Sequence, residues 1–268
     1  MKYLPNILLI LISVFVAYQE LRLYQMKGDL QVVYNRQSLR DRKYKLDETD
    51  FVRTAKNSVL IVRCVDKTSP AKAWIATATK VHPEHIVTVF HNISRLGNNL
   101  PRTYPIACQL TQEGQKMGDF KIESEKDAIK TQVEKRDISI VPVVFNEKGA
   151  ELPILMPKNL SRIAVGDVIA LISSPAKFHL DATVSFGVVL AKKVKHSLKV
   201  EFREIWENAI SSDVIAFGGS SGGALIHFDP DPYFVGVHVG TNGANGLYLA
   251  YYQLLFDKAF FQKFNALP

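Results

Sequence analysis

The chain has 268 residues, 47% of them apolar and 22% charged, with 15 glycines, 12 prolines and 2 cysteines. This composition supports one large domain or two small ones and excludes disordered, collagen-like and acidic-tail classes; two cysteines exclude a disulfide scaffold and a four-cysteine zinc site. The formal charge of +7 favours acidic partners, but it is spread too diffusely to name nucleic acid.

Leu4 to Tyr18 is uncharged and nearly all apolar. At 1.5 Å per residue it spans roughly 22 Å, short of a roughly 30 Å hydrocarbon core. Leu21, Leu23 and Tyr24 extend it, with Glu20 and Arg22 able to snorkel at the interface. The pattern predicts a membrane helix within residues 1–24, a single-pass anchor. Lys2 ahead of an apolar run also fits a cleaved signal peptide, although Phe15 is bulky for the position two before Ala17. The basic flank of Arg22, Lys27, Arg36, Arg40, Arg42, Lys43 and Lys45 places the rest of the chain in the cytoplasm by the positive-inside rule. Residues 25–48 read as a juxtamembrane linker.

Asp47 or Thr49 can cap a short helix running to about Lys56, with Phe51, Val52 and Ala55 on one side. Short β-rich runs follow at 58–65, 73–81, 85–90, 104–110, 137–144, 167–173, 183–194, 198–204, 223–228, 233–240 and 246–251, punctuated by Gly, Pro, Asn and Asp. That spacing argues for all-β barrels or sandwiches. The Pro-containing stretch 151–162 reads as a connector, dividing 49–150 from 151–268. Leu255, Ala259, Phe260 and Phe264 recur at helical spacing, which predicts a closing helix over 252–264.

Phe217–Leu225 reads FGGSSGGAL between two strands, so it is a tight turn in a core and not a flexible linker. Glycines there let the backbone turn successive N–H groups into one concavity, where a developing oxyanion can sit. Gly219 and Ser221 would supply those groups, with the Ser221 hydroxyl at the rim and Ser220 its close rival. His91 follows an apolar β run, and Asp137 heads another. Each alone fits an ordinary strand end. Together, in the order His91, Asp137, Ser221, they are the three groups acyl transfer needs: a nucleophile, a base, and a carboxylate to orient the base.

On these residues the chain resembles the chymotrypsin-like serine proteases over about residues 50–255. IVTVFHNI resembles the strand delivering the family's histidine, RDISIVPV its aspartate strand, and GSSGGAL its GxSGG turn. Residues 162–191, with a VGD turn and TVSFGVV, are similar to the second-barrel opening of the high-temperature-requirement proteases. The resemblance implies two packed six-stranded antiparallel β-barrels, an all-β fold with the closing helix behind them. It also implies an endopeptidase in which His91 is general base, Asp137 orients it, Ser221 attacks, and the Gly219 and Ser221 amides hold the oxyanion. Departures are Phe90 where the family has a small residue, AWIATAT (73–79) in place of a GSGF-like turn, and an insertion around 95–130.

Val235–Gly246 resembles the GxHxxGNG segment of picornaviral main proteases and the GIH segment of glutamyl endopeptidases. That resemblance implies His238 in the pocket for the residue before the scissile bond, reading Glu or Gln, with Ile215, Ala216, Val239 and Gly240 beside it. A basic-residue pocket would want an acid where Ile215 stands; the viral type often has threonine where Ala216 stands. The resulting expectation is a membrane-anchored serine endopeptidase acting on protein or polyprotein, as in viral polyprotein processing. The alternatives are a bacterial envelope protease or a catalytically silent scaffold. No cofactor, metal or nucleic-acid partner is expected; the basic hairpin 191–203 reads as a solvated strand pair, and oligomeric state stays open. Cys64 and Cys108 read most simply as buried thiols, with a bridge left open.

Overall fold

The computed structural model describes residues 15, 18–20, 49–66, 69–94, 104–159, 163–175, 182–192, 209–228, 231–241 and 251–268. Most of the expected anchor and all of the linker at 25–48 lie outside these residues, as do the expected strand at 198–204 and the basic hairpin beyond Lys192. Among the described residues no helix is long and apolar enough to cross a membrane.

Helix α1 (Asp50–Ser58) begins where Thr49 caps it, the side chain accepting from the Val52 N–H at 3.3 Å. Val52 and Ala55 are its buried stripe. The first sheet follows: β1 (Val59–Asp66), β2 (Ser69–His82), β3 (His85–Thr88), β4 (Ile106–Gln112), β5 (Gln115–Ile122), β6 (Ser139–Pro142) and β7 (Val144–Phe145). Its order is β6-β3-β2-β1-β4-β5-β7, seven strands where six were expected. The difference is local. Val143 alone separates β6 from β7, and the two halves of this one run pair with opposite edges, β3 and β5. One stretch of chain therefore borders both ends of the sheet, which curls it into a barrel. Alternate β1 side chains such as Leu60, Val62 and Cys64 point inward, meeting Ile86, Ile106, Leu110 and Val141.

Two helices were not foreseen. Ser124 caps α2 (Glu125–Thr131) and Asn146 caps α3 (Glu147–Glu151), each side chain accepting an N–H three residues on. Both are too short for a clear apolar period, so only their caps mark them in the sequence.

The second sheet is a closed six-stranded barrel, as expected: β8 (Val168–Ser173), β9 (Thr183–Lys192), β10 (Ala209–Ser212), β11 (Ala224–Phe228), β12 (Pro232–Thr241) and β13 (Tyr251–Leu255), in the order β10-β13-β12-β11-β8-β9. Ile169, Leu171, Val189, Ile210, Leu225 and Val235 form one cluster on it. A further cluster joins Val81, Val87 and Ile140 of the first sheet to Ala170, Ile172, Ala224, Phe234 and Leu254 of the second, and to Phe260. The barrels are thus packed against each other through apolar side chains.

The closing helix is shorter than the pattern suggested. Residues 251–255 form β13, laddered between β10 and β12, and only α4 (Lys258–Phe264) is helical. Asp257 sets the boundary by accepting the Phe260 N–H at 3.1 Å. Phe256, Phe260 and Phe264 stack in succession, with centroids 4.0 and 5.7 Å apart. The helical spacing of Leu255, Ala259, Phe260 and Phe264 runs across a strand–helix junction, because Leu255 closes β13 and only the later three lie on the helix.

The connector is anchored by a buried lysine. Lys80, 1% exposed, donates from Nζ to the carbonyls of Gly149, Ala150 and Leu152 at 2.8, 2.8 and 2.9 Å. Its own carbonyl accepts the Leu155 N–H at 2.9 Å. Cys64 and Cys108 are directly opposed on β1 and β4 and joined as a disulfide, which corrects the reading of two free thiols. Their separation along the chain hid that they share a register position.

Candidate active site

β3 ends at Thr88, and a single 3₁₀ turn (Phe90–Asn92) carries His91 out of the sheet. Phe90 is accommodated because its ring is buried in the first barrel's core, while the Trp74 indole donates to the Asn92 carbonyl at 2.9 Å and holds the turn.

Asp137 precedes β6 and is clamped there from both sides. The Val133 N–H donates to the Ile138 carbonyl at 2.9 Å, the Gln132 side-chain amide to the Arg136 carbonyl at 2.9 Å, and Arg136 pairs with Asp257. Its carboxylate grips His91 twice. Oδ2 lies 2.7 Å from Nδ1, and Oδ1 accepts the His91 main-chain N–H at 2.8 Å. An ionised carboxylate only accepts, so Nδ1 carries the proton and Nε2 keeps its lone pair. Both side chains are largely buried, 13% and 8% exposed, which strengthens the pairing.

The glycine-rich turn that carries Ser220 and Ser221 lies between β10 and β11. The Ser220 N–H donates to the Phe217 carbonyl at 3.0 Å and the Gly223 N–H to the Ser220 carbonyl at 2.9 Å. Gly219 and Gly222 have φ of +94° and +91°, in the region where a side chain is strained. A Cβ on Gly222 would also lie 2.0 Å from the Thr77 carbonyl oxygen. The two serines part here. Ser220 is buried and its hydroxyl is engaged by the Phe217 N–H at 3.2 Å and the Ser173 hydroxyl at 3.1 Å. Ser221 is partly exposed. Among the described residues, no main-chain carbonyl accepts from the N–H of Gly219 or Ser221.

The first barrel reaches this turn through residues that motif reading passed over. The Thr77 N–H donates to the Ser221 carbonyl at 2.9 Å, and its hydroxyl to the Gly219 carbonyl at 2.7 Å. The Asn92 amide donates to the Ser221 carbonyl at 3.1 Å and to the Thr88 hydroxyl at 3.1 Å. The residue after His91 thus holds Ser221 by its main chain. Asn92 could have been flagged by its adjacency to the histidine; Thr77 sits in the stretch that departs from the GSGF pattern.

His238 lies on β12 opposite Gln253 of β13. Its main chain exchanges bonds with the glycine-rich turn: the Gly222 N–H reaches the His238 carbonyl at 2.8 Å, and the His238 N–H the Gly223 carbonyl at 3.0 Å. Burial, and secondarily the nearby His91, lower its pKa to about 3, so the imidazole is neutral. The other expected pocket residues are differently placed. Ile215 is 59% exposed at the turn, with Phe217 also exposed beside it. Ala216 packs into the second barrel's core and Val239 into the cluster between barrels. Gly240 is half-buried.

No family model matches the chain, and no curated protein matches it. Solved structures do. The HtrA-type protease AlgW with tripeptide is 18% identical at a TM-score of 0.53, covering 76% of this chain and 58% of its own; this chain therefore spans a little over half of that protein's length. Deg5 is 16% identical at 0.51, covering 79% and 90%. The Rv3671c protease from M. tuberculosis in its active form is 14% identical at 0.55, covering 78% and 81%. With two packed barrels and a closing helix already in hand, these likenesses identify the chain's architecture as the two-barrel fold of the chymotrypsin-like serine proteases.

Proposed function

We propose that this chain is a serine endopeptidase whose catalytic triad is His91, Asp137 and Ser221. The observation that carries the reading is the pair of hydrogen bonds from His91 to Asp137, made beside a turn whose Ser221 main chain is held by the adjacent Asn92. Ser221 Oγ attacks the peptide carbonyl while His91 Nε2 takes its proton. The new imidazolium is stabilised by Asp137 and then protonates the leaving amine, releasing the first product and leaving an acyl-enzyme. Water, deprotonated by the same imidazole, releases the second product. The Gly219 and Ser221 N–H groups bind the oxyanion; one such donor is worth about 10²–10³ in kcat.

Selection for Glu or Gln before the cut rests on His238, whose neutral imidazole offers one donor and one acceptor beside the nucleophile turn. Residues 1–24 supply the membrane tether. The Cys64–Cys108 bond favours an oxidising compartment for the barrels over the cytoplasmic side suggested by the flanking charges. That same bond, with HtrA-type structures among the similar folds, favours an envelope protease over a viral polyprotein-processing one.

The test is labelling with a serine-directed fluorophosphonate alongside cleavage of a peptide library. Wild type is expected to label and cut, and Ser221→Ala to do neither while keeping its circular dichroism spectrum. Undiminished labelling of that variant overturns the assignment. In the library, His238→Ala is expected to lose the Glu/Gln preference; an unchanged preference removes His238 from the pocket.

A further inference from the structure

The hairpin joining β2 to β3 turns through Pro83 and Glu84, and the residues closing it are two histidines paired across the ladder, His82 and His85. Their Nδ1 atoms lie 3.2 Å apart and their rings meet edge to face, with centroids 5.1 Å apart. Two imidazole nitrogens held 2.0–2.1 Å from one tetrahedral zinc ion stand about 3.3 Å from each other. The 3.2 Å separation is that of a hydrogen bond between the rings, and it lies within about 0.1 Å of the spacing of two ligands on one ion.

The scaffold under the pair is rigid. His85 is 8% exposed and laddered to Pro142 of β6, and the Glu84 carbonyl accepts the Val143 N–H at 2.9 Å. Glu84 projects from the same turn and is exposed. Among the described residues no three ligating side chains already converge; a rotation of the exposed Glu84 side chain would supply the third.

We propose that His82 and His85 bind a zinc-class divalent ion through their Nδ1 atoms, with Glu84 as third ligand and water as fourth. Without the ion, His82 Nδ1 accepts the Glu84 N–H at 3.3 Å, so the proton between the rings resides on His85 Nδ1. Binding moves that proton to His85 Nε2 and hands the Glu84 N–H, on this exposed turn, from His82 Nδ1 to water, and both rings stay neutral. The hairpin lies at the end of β3 away from His91, so the ion is not part of the serine chemistry. It cross-links β2 to β3 and stabilises the first barrel by mass action.

The experiment is zinc titration of the full chain by calorimetry and thermal melting, with the long-range nitrogen spectrum of the imidazoles read in parallel. Expected are a saturable site, a raised Tm with zinc, and Nδ1 shifts at His82 and His85. His82→Gln or His85→Gln should weaken that site at least tenfold, and Glu84→Gln by a smaller factor. Equal titration of wild type and a His82→Gln, His85→Gln double variant overturns the proposal, placing any bound zinc elsewhere. Should the variants fail to fold, a wild-type spectrum in which neither Nδ1 responds to zinc overturns it equally.

Discussion

The Thr77 hydroxyl, on β2 of the first barrel, donates to the carbonyl of Gly219 in the glycine-rich turn of the second, across 2.7 Å. The same hydroxyl accepts the Ser174 N–H at 3.1 Å, and Thr77 is fully buried. The peptide that follows Gly219 is thus oriented from across the barrel interface. Thr77→Val keeps the shape and removes the hydroxyl. It is expected to lower kcat by about 10²-fold with KM nearly unchanged, and Thr77→Ser to restore most of the loss. Equal kcat values for wild type and Thr77→Val, measured on one fluorogenic peptide, would exclude Thr77 as a positioning residue.

Asp137→Asn replaces an acceptor-only group by one that can also donate to His91 Nδ1. The imidazole then loses the constraint that keeps its lone pair on Nε2. The expected fall in kcat at neutral pH is about 10⁴-fold, with fold retained, as checked by steady-state kinetics and near-UV circular dichroism. Loss of less than tenfold would mean another group orients the base.

His238 is neutral in the folded chain down to about pH 3, whereas an unfolded histidine takes up a proton near 6.5. Between those values the unfolded state binds more protons, so stability falls as pH drops from about 6.5 toward 3. Urea unfolding at pH 7 and pH 4.5 is expected to show this fall, and His238→Gln to reduce it. Parallel losses in both chains would remove His238 as the source.

Lys80→Met leaves three main-chain carbonyls of α3 and the connector without their donor. Destabilisation of about 2–3 kcal/mol is expected in denaturant titrations, since an unmet buried acceptor costs more than a met one returns. A variant as stable as wild type would show that water replaces the ammonium.

The Cys64–Cys108 bond closes a loop over a sequence separation of 44. On the chain-entropy account it contributes about 4 kcal/mol. A Cys64→Ala, Cys108→Ala double variant is expected to unfold at correspondingly lower urea. An unchanged midpoint would show the bond absent from the native chain.

The sequence by itself determined an all-β chain of short strands, and through its resemblance implied two packed barrels and pointed to His91, Asp137 and Ser221. Alternating apolar runs encode strands locally, and a glycine-rich turn between two of them is a local signal for a sharp bend. Tertiary structure alone decided what depends on residues far apart in the chain meeting. It showed that the Ser220 hydroxyl is engaged by Ser173 and the Phe217 N–H, which no local pattern reveals. It brought Thr77 and Asn92 to that turn, opposed Cys64 to Cys108, and buried Lys80 against the connector. It also ended the last strand at Leu255, where the apolar spacing of Leu255, Ala259, Phe260 and Phe264 suggests continuous helix. In each case a side chain of ordinary local character acquires its role from register or from the docking of one barrel on the other, and neither is written in the near neighbours of the residue.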